Sequence, residues 1–314
     1  MKVSSSTLTV WWSPVSTPPY LTLPFGVRRT ELQTSRGAFA ALEALPGSGV
    51  PERGPALLVP GFTGSKEDFI SVLQTLARAG RRVVAVDMRG QYQTPGSDDP
   101  QDYSCVNLGA DVVAMIEALA DADPVHVVGH SFGGLVTREA VLALAGGEPP
   151  SLVQSYTLMS SGPAGLTGPA AERPKALIEA LPLLGMQAIW DLHLVKEAEA
   201  SGTAPEIIEF LRARSLANHE TGLLAMAQEL LSCPDRVEQL AKVAAESRLP
   251  LLVLYGEDDD VWNPRTQAAM AERLGAAKVV LPGAAHSPAV DAPETTAHTL
   301  TDFWNGAERA AQKK

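Results

Sequence analysis

Cysteine is nearly missing from this 314-residue chain: Cys105 and Cys233 are the only two. Two thiols so far apart in sequence do not make a disulfide scaffold, and both are expected as buried or partly buried free thiols. A positive charge excess is missing as well. Lys and Arg number 25 against 36 Asp and Glu, a net charge of −11, so a phosphate backbone or an anionic membrane surface is repelled on average. Nucleic acid is therefore not an expected partner. Long apolar runs are lacking too. Met1-Lys2-Val3-Ser4-Ser5-Ser6 leads into Trp11-Trp12-Ser13-Pro14 without a sustained apolar stretch, which gives neither a secretory signal nor a membrane span and makes the cytoplasm the expected location. The acidic run 257–260 lacks the alternating oxygen ligands of a calcium loop, and no metal is expected. Gly61-x-x-Gly64-Ser65-Lys66 has the wrong spacing for a phosphate loop.

What is present is a chain able to bury a large core, 45% apolar and long enough for one big α/β domain with an insertion. Residues 1–50 are rich in Pro, Ser and Thr, with Arg36 to Leu42 expected as one strand of an N-terminal hairpin. From Pro55 strands and helices alternate. Apolar strands at Ala56–Val59, Val83–Val86, Val125–Val128 and Leu152–Met159 are separated by helical spacing at Ser65–Ala79, Leu108–Leu119 and Phe132–Ala145. Continuously apolar strands between helices predict a mostly parallel, open sheet covered on both faces. Between Gly162 and Leu249 the alternation stops. Three or four helices are expected there, at Pro174–Leu181, Ala188–Ala200, Pro205–Leu216 and Gly222–Leu231. The pattern then resumes with the strand Leu251–Tyr255, a helix Pro264–Leu274, the strand Lys278–Leu281 and a last helix Glu294–Ala310. The division expected is a core from 1–165 and 249–314, with a helical cap at 166–248 lying over the sheet.

The most informative stretch is Val125-His126-Val127-Val128-Gly129-His130-Ser131-Phe132-Gly133-Gly134. A β-branched run, a serine with glycines at −2 and +2 and then a helix describe a tight strand-to-helix turn with Ser131 at its tip. In a parallel sheet the loops at the carboxyl ends of the strands converge on one edge. A serine hydroxyl there needs a base within hydrogen-bond reach and a third group to orient the base. Of six histidines, His126 lies inside a strand, where local packing or hydrogen bonding is expected. His193 and His219 are in the insertion, and His298 is in the last helix. His130 adjoins Ser131 and is expected to pack or shape the pocket. His286, on the small-residue loop after the last strand, is the base candidate. The acid candidates follow Leu251–Tyr255 in Gly256-Glu257-Asp258-Asp259-Asp260, with Asp259 first, then Asp260 and Asp258. The N–H groups of Phe62 and Phe132 are the candidate oxyanion donors. Asp87 is expected to brace neighbouring loops through Arg89.

Together these segments resemble the α/β-hydrolase superfamily, in its serine-nucleophile branch with a helical cap. The likeness runs from about Pro55 to Gln312 and rests on Gly129-His130-Ser131-Phe132-Gly133-Gly134, Pro60-Gly61-Phe62, Asp87-Met88-Arg89-Gly90, Gly256-Glu257-Asp258-Asp259 and Gly283-Ala284-Ala285-His286-Ser287-Pro288. It implies the α/β-hydrolase fold, Ser131 as nucleophile, His286 as base and Asp259 as the acid. Two departures stand out: Pro60-Gly61 where many relatives have His-Gly, and Gln91-Tyr92-Gln93-Thr94 where relatives often continue Gly-x-Ser. A serine nucleophile separates the chain from the dehalogenase and epoxide-hydrolase branches.

The function expected is that of a cofactor-free serine hydrolase, carboxylesterase-like, which acts on a small or medium ester through an acyl-enzyme. Its partner is a small-molecule substrate. Leu181, Leu183, Leu184, Met186, Ile189 and Trp190 are expected toward a lid surface that receives the acyl chain. Amide, lactone, thioester or C–C hydrolysis and perhydrolysis use the same constellation. A binding protein that kept the fold without turnover is the reading from another class. Nothing in the sequence sets the oligomeric state.

Overall fold

The computed structural model describes residues 16–120, 123–144 and 152–312. The stretch from Met1 to Pro14, which carries the expectation of no leader, and Ala145, the expected end of a helix, lie outside them. Among the described residues eight strands form one sheet: β1 (Val27–Thr34), β2 (Gly37–Ala44), β3 (Arg53–Val59), β4 (Arg81–Val86), β5 (Val125–His130), β6 (Val153–Met159), β7 (Leu251–Gly256) and β8 (Ala277–Leu281). Their order is β1-β2-β4-β3-β5-β6-β7-β8. The hairpin β1–β2 joins β4 antiparallel, and every pair from β4 to β8 is parallel.

The first helices are α1 (Ile70–Arg78), α2 (Cys105–Leu119) and α3 (Phe132–Leu144). Between β6 and β7 come α4 (Glu172–Ile189), α5 (Val195–Ala200), α6 (Pro205–Ala217), α7 (Glu220–Ser232) and α8 (Val237–Ser247). The chain ends with α9 (Pro264–Leu274), the short α10 (Pro288–Asp291) and α11 (Pro293–Ala311). None of the described helices is long and apolar enough to cross a membrane.

Successive side chains of a strand point to opposite faces. Along β3, Ala56 and Leu58 enter one core with α1, α11 and Trp304, while Leu57 and Val59 enter the other with α2 and α3. All four are fully buried, which is why the strand carries no polar alternation. Burying each leucine side chain contributes about 1.5–3 kcal/mol.

The stretch α4 is two helices divided by a break at Gly185 (φ 72°, ψ 159°), which falls between the helices expected over Pro174–Leu181 and Ala188–Ala200, and Pro182 lies in the last turn before the break. The helix α8 was not anticipated. Only Val237, Leu240 and Ala244 are buried along it, a stripe of three residues. It packs on α3 and α9 in the core under the sheet. The cap leaves the core through a narrow neck. Gly165 N–H donates to the Cys233 carbonyl at 2.8 Å, and Leu166 N–H donates to the Leu230 carbonyl at 2.7 Å.

Asp87, at the end of β4, braces its surroundings through Lys66 and not through Arg89. Its carboxylate accepts from Lys66 Nζ and from Lys66 N–H, both at 2.7 Å, and from Gln93 N–H at 3.3 Å. Arg89 instead forks onto Asp111, which Arg36 also holds. The sequence gives no sign of this exchange, because Lys66 and Asp87 meet only after β3 and β4 pair. Lys66 and Asp87 are 1% and 0% exposed, so removing the lysine strands a buried carboxylate. Lys66→Ala is expected to cost about 3–5 kcal/mol in chemical denaturation. Arg89→Ala leaves Arg36 on Asp111 and is expected to cost under about 2 kcal/mol. Equal losses would show that this assignment of partners is wrong.

Candidate active site

Ser131 sits between β5 and α3 with φ 55°, a left-handed backbone that non-glycine residues seldom adopt. The turn is fixed at both ends: Ser131 N–H donates to Met159 O and Gly134 N–H to Ser131 O, each at 2.9 Å. Two glycines make room for it. A Cβ at Gly129 would collide with Thr137 Oγ1 and the Gly133 carbonyl, and one at Gly133 would collide with the Pro60 carbonyl. Helix, strand and the loop Pro60–Gly64 therefore approach more closely than any side chain would allow.

His286 lies on the loop after β8, and its ring meets both partners. Nε2 is 2.9 Å from Ser131 Oγ and Nδ1 is 2.9 Å from Asp259 Oδ1. An ionised carboxylate only accepts, so the consistent tautomer carries its proton on Nδ1 and leaves Nε2 free to accept from Ser131. Asp259 is buried, whereas Asp258 and Asp260 are exposed on the same loop. Its Oδ1 also accepts from Val261 and Trp262 N–H, and its Oδ2 from Gln267 Nε2 at 2.8 Å. Burial alone would raise the carboxyl. The hydrogen bond and charge of His286, with the Val261 and Gln267 donors, outweigh it and hold Asp259 below the ordinary carboxylate value.

The other sequence candidates fall into place around this chain of contacts. Phe132 is fully buried and its ring meets that of Phe62 edge-on at 6.4 Å. Neither the Phe62 nor the Phe132 N–H donates to an acceptor among the described residues. Gly61 lies against Ser131, since a Cβ there would come within 2.9 Å of the serine Cβ. His126 is remote: it bonds Ser155 and Glu308 and stacks on Trp304. Its acidic partner is 182 residues away, so the bonding is not local. His219 stacks on Tyr103, and His298 is exposed on α11.

A cavity under the cap is lined by Phe62, Thr63, Leu177, Ile189, Trp190 and Leu211 among others. Ser131 and His286 do not line it, so it reaches the serine loop only through Phe62 and Thr63. Of the lid residues expected, Met186, Ile189 and Trp190 face this cavity and Leu181 is buried inside the cap. Leu183 and Leu184 do not belong with them. They are 82% and 49% exposed, turned outward just before the Gly185 break.

Several residues around the site carry no sequence signal. Gln91, fully buried, donates to the Gly61 carbonyl at 2.9 Å and so holds the Phe62 loop. Arg214, from α6, donates to Asp68 Oδ1 at 2.8 Å and to the Ser16 carbonyl at 3.0 Å. Ser16 Oγ then bonds Ser287 Oγ at 2.7 Å, beside His286. Cap, N-terminal segment and histidine loop are thus tied by one buried guanidinium.

With this geometry in hand, the chain can be set beside known proteins. The profile of the alpha/beta hydrolase family matches residues 56–299, and the chain belongs to that family. It is similar to Lipase 3 of Moraxella sp. (strain TA144), 24% identical over 262 residues that cover 81% of this chain and 78% of the lipase. It is also similar to Lipase 1 of Psychrobacter immobilis, 24% identical over 79% of this chain and 76% of that one. Among solved structures, a thermophilic esterase from Thermogutta terrifontis superposes with a TM-score of 0.68 at 20% identity, covering 89% of this chain and 99% of the esterase. The enol-lactonase from Burkholderia xenovorans LB400 gives 0.67 at 19% identity, covering 88% and 100%. These structural likenesses establish the shared fold, a mostly parallel sheet with an inserted helical cap.

His130 touches the site from behind. Its Nε2 donates to the His286 carbonyl at 2.8 Å, and the two rings lie 5.1 Å apart. It shapes the His286 loop directly, although it neighbours Ser131 around the turn. Burial, reinforced by the charge of His286, pushes its imidazole down to about 3. An unfolded chain holds that group near the ordinary value of about 6.5, so below this pH the unfolded state binds more protons. The stability His130 contributes is present above about pH 6.5 and is lost as pH falls toward about 3. His130→Gln is expected to flatten the stability profile between about pH 6 and about pH 4, by up to about 1.4 kcal/mol per pH unit. Denaturation midpoints measured across that range check it, and an unchanged slope refutes it.

Proposed function

We propose that this hydrolase is a cofactor-free serine enzyme that cleaves a small or medium carboxylic ester through an acyl-enzyme. The observation that carries the reading is the unbroken chain Asp259–His286–Ser131, with 2.9 Å at each ring nitrogen. A hydroxyl is a weak nucleophile at neutral pH, and an imidazole already accepting its hydrogen bond is positioned to take the proton as Oγ attacks the carbonyl carbon. Asp259 keeps the ring in the accepting tautomer and stabilises the imidazolium that forms. The free N–H groups of Phe62 and Phe132 receive the charge on the tetrahedral oxygen, each contributing about 3 kcal/mol. His286 then returns the proton to the leaving alcohol. A water deprotonated by the same nitrogen attacks the acyl carbon and releases the acid.

The apolar lining of the cap cavity next to Phe62 supports an acyl group of modest length on that side. The lipases and esterase to which the chain is similar act, by their names, on the same bond type.

Ser131→Ala is expected to abolish labelling by a fluorophosphonate and turnover of nitrophenyl acetate and butyrate. Asp259→Asn, which presents the wrong tautomer, is expected to lower kcat about ten-thousandfold. A Ser131→Ala protein that labels or turns over like the wild type would remove the serine from the mechanism.

A further inference from the structure

The two cysteines, 128 residues apart in sequence, meet at the neck of the cap. Cys233 Sγ lies 3.5 Å from Cys105 Sγ, and both residues are buried. Cys105 is the first residue of α2 in the core, and Cys233 follows α7 where the chain leaves the cap. Neither sulfur sits on a loose segment. Arg138, from α3 and 1% exposed, donates to the Pro163 carbonyl at 2.6 Å, to the Pro234 carbonyl at 3.1 Å and to Cys233 Sγ at 3.4 Å. Cys105 N–H donates to Glu229 Oε2, near the end of α7, at 2.7 Å. The contacts that close the neck therefore also hold the two thiols together.

We propose that this pair is an oxidation site, which a peroxide converts into a Cys105–Cys233 disulfide that locks the neck of the cap. Cys233 is the attacking sulfur. Its contact with Cys105 lowers its proton affinity, and the Arg138 guanidinium acts in the same direction, while the contact with Cys233, burial and Glu229 keep Cys105 protonated. The Cys233 thiolate attacks one peroxide oxygen, the O–O bond breaks, and hydroxide departs and takes up the proton that Cys233 released. The product is a sulfenic acid. Cys105 sulfur attacks the sulfenic sulfur, the S–O bond breaks, and the second hydroxide leaves as water with the Cys105 proton. Two thiols and one peroxide give one disulfide and two waters, with one electron lost from each sulfur. The sulfurs must close from 3.5 Å to about 2.05 Å as the bond forms. The bond would cross the neck and close a loop that contains α2, β5, α3, β6 and the cap helices α4–α7. It is independent of the bond that the enzyme cleaves.

The test begins with reduced wild-type protein treated with hydrogen peroxide, quenched with catalase, then unfolded in the presence of a maleimide. The protein is expected to take up no maleimide, to lose two hydrogens in intact mass and to yield a cross-linked peptide containing Cys105 and Cys233. Its Tm is expected to rise by about 5 °C and to return on reduction with dithiothreitol. Cys105→Ser is expected to show no such rise and to gain oxygen on Cys233 instead, with Cys105→Ala as the alternative where the serine is poorly tolerated. Treated wild-type protein that still takes up two maleimides, or that gains oxygen on either sulfur without a cross-link, overturns the proposal. Fluorophosphonate labelling of the same samples reports on Ser131 separately, so the two readings fail independently.

Discussion

The imidazole of His286 is held at three points, and the arrangement of the sheet edge follows from that requirement. Its two nitrogens face Asp259 and Ser131, and its backbone carbonyl accepts from His130. These partners lie 27 to 156 positions from His286 in the chain. In this chain a sheet whose strands finish side by side at one edge brings them within hydrogen-bond reach. The parallel run β5-β6-β7-β8 does this, with β5 delivering His130 and Ser131, β7 the Asp259 loop and β8 the His286 loop. A left-handed serine costs about 1–3 kcal/mol, and it persists because its surroundings leave no alternative. Met159 and Gly134 fix its backbone, while Gly129 and Gly133 let α3 press onto the strand and the Phe62 loop.

Beneath that loop lies a second constraint, a group of buried charges. Lys66, Glu67 and Asp68 are all at most 3% exposed, and Arg214 from the cap reaches the same place. Burial pushes the Asp68 carboxyl up to about 7 even with the guanidinium against it. A pair that loses so much solvation contributes little net stability, and its value lies in fixing position. Arg214 bonds Asp68 with one nitrogen and Ser16 with the other, and Ser16 reaches Ser287. A lysine offers a single ammonium and could not span Asp68 and the Ser16 carbonyl in that fixed geometry.

What could be read from the sequence is what local chemistry specifies. The helix α9 has the bounds expected because Asn263 caps it, Pro264 starts it and Gly275 at φ 61° stops it. The sheet was legible because buried parallel strands are continuously apolar. Ser131, Asp259 and His286 could be singled out because each follows a strand, and the fold then brings the three together. The helix α8 carries apolar residues at helical spacing, Val237, Leu240, Ala241 and Ala244, but it lacks a stop signal, because it ends at a left-handed Arg248 (φ 54°) instead of a glycine. Partners chosen across the fold were invisible. His126 finds Glu308, Asp87 finds Lys66, and Cys105 touches Cys233 only because α7 returns to the start of α2.

The segment Gln91-Tyr92-Gln93-Thr94 departs from the resemblance, and its contacts give a physical reason for the side chains of Gln91, Tyr92 and Thr94. Gln91 accepts from Met88 N–H at 3.1 Å through one end of its amide and donates to the Gly61 carbonyl through the other. Tyr92 lies 4.6 Å under the Lys66 ammonium and meets Phe210 of the cap edge-on at 5.6 Å. Gln93 N–H donates to the Asp87 carboxylate, and Thr94 Oγ1 donates to the Asp87 carbonyl while accepting from Ala40 N–H. The four residues therefore work as a brace between the first hairpin, the buried lysine and the loop that carries Phe62. A Gly-x-Ser segment would lack the amide that spans Met88 and Gly61. Because Gln91 holds Gly61 by its carbonyl, the direction in which the neighbouring Phe62 N–H points is set from this brace, outside the serine turn itself. The departure and the position of that N–H are thus parts of one arrangement, and moving the Gly61 carbonyl alone would take from the buried Gln91 amide the acceptor it donates to.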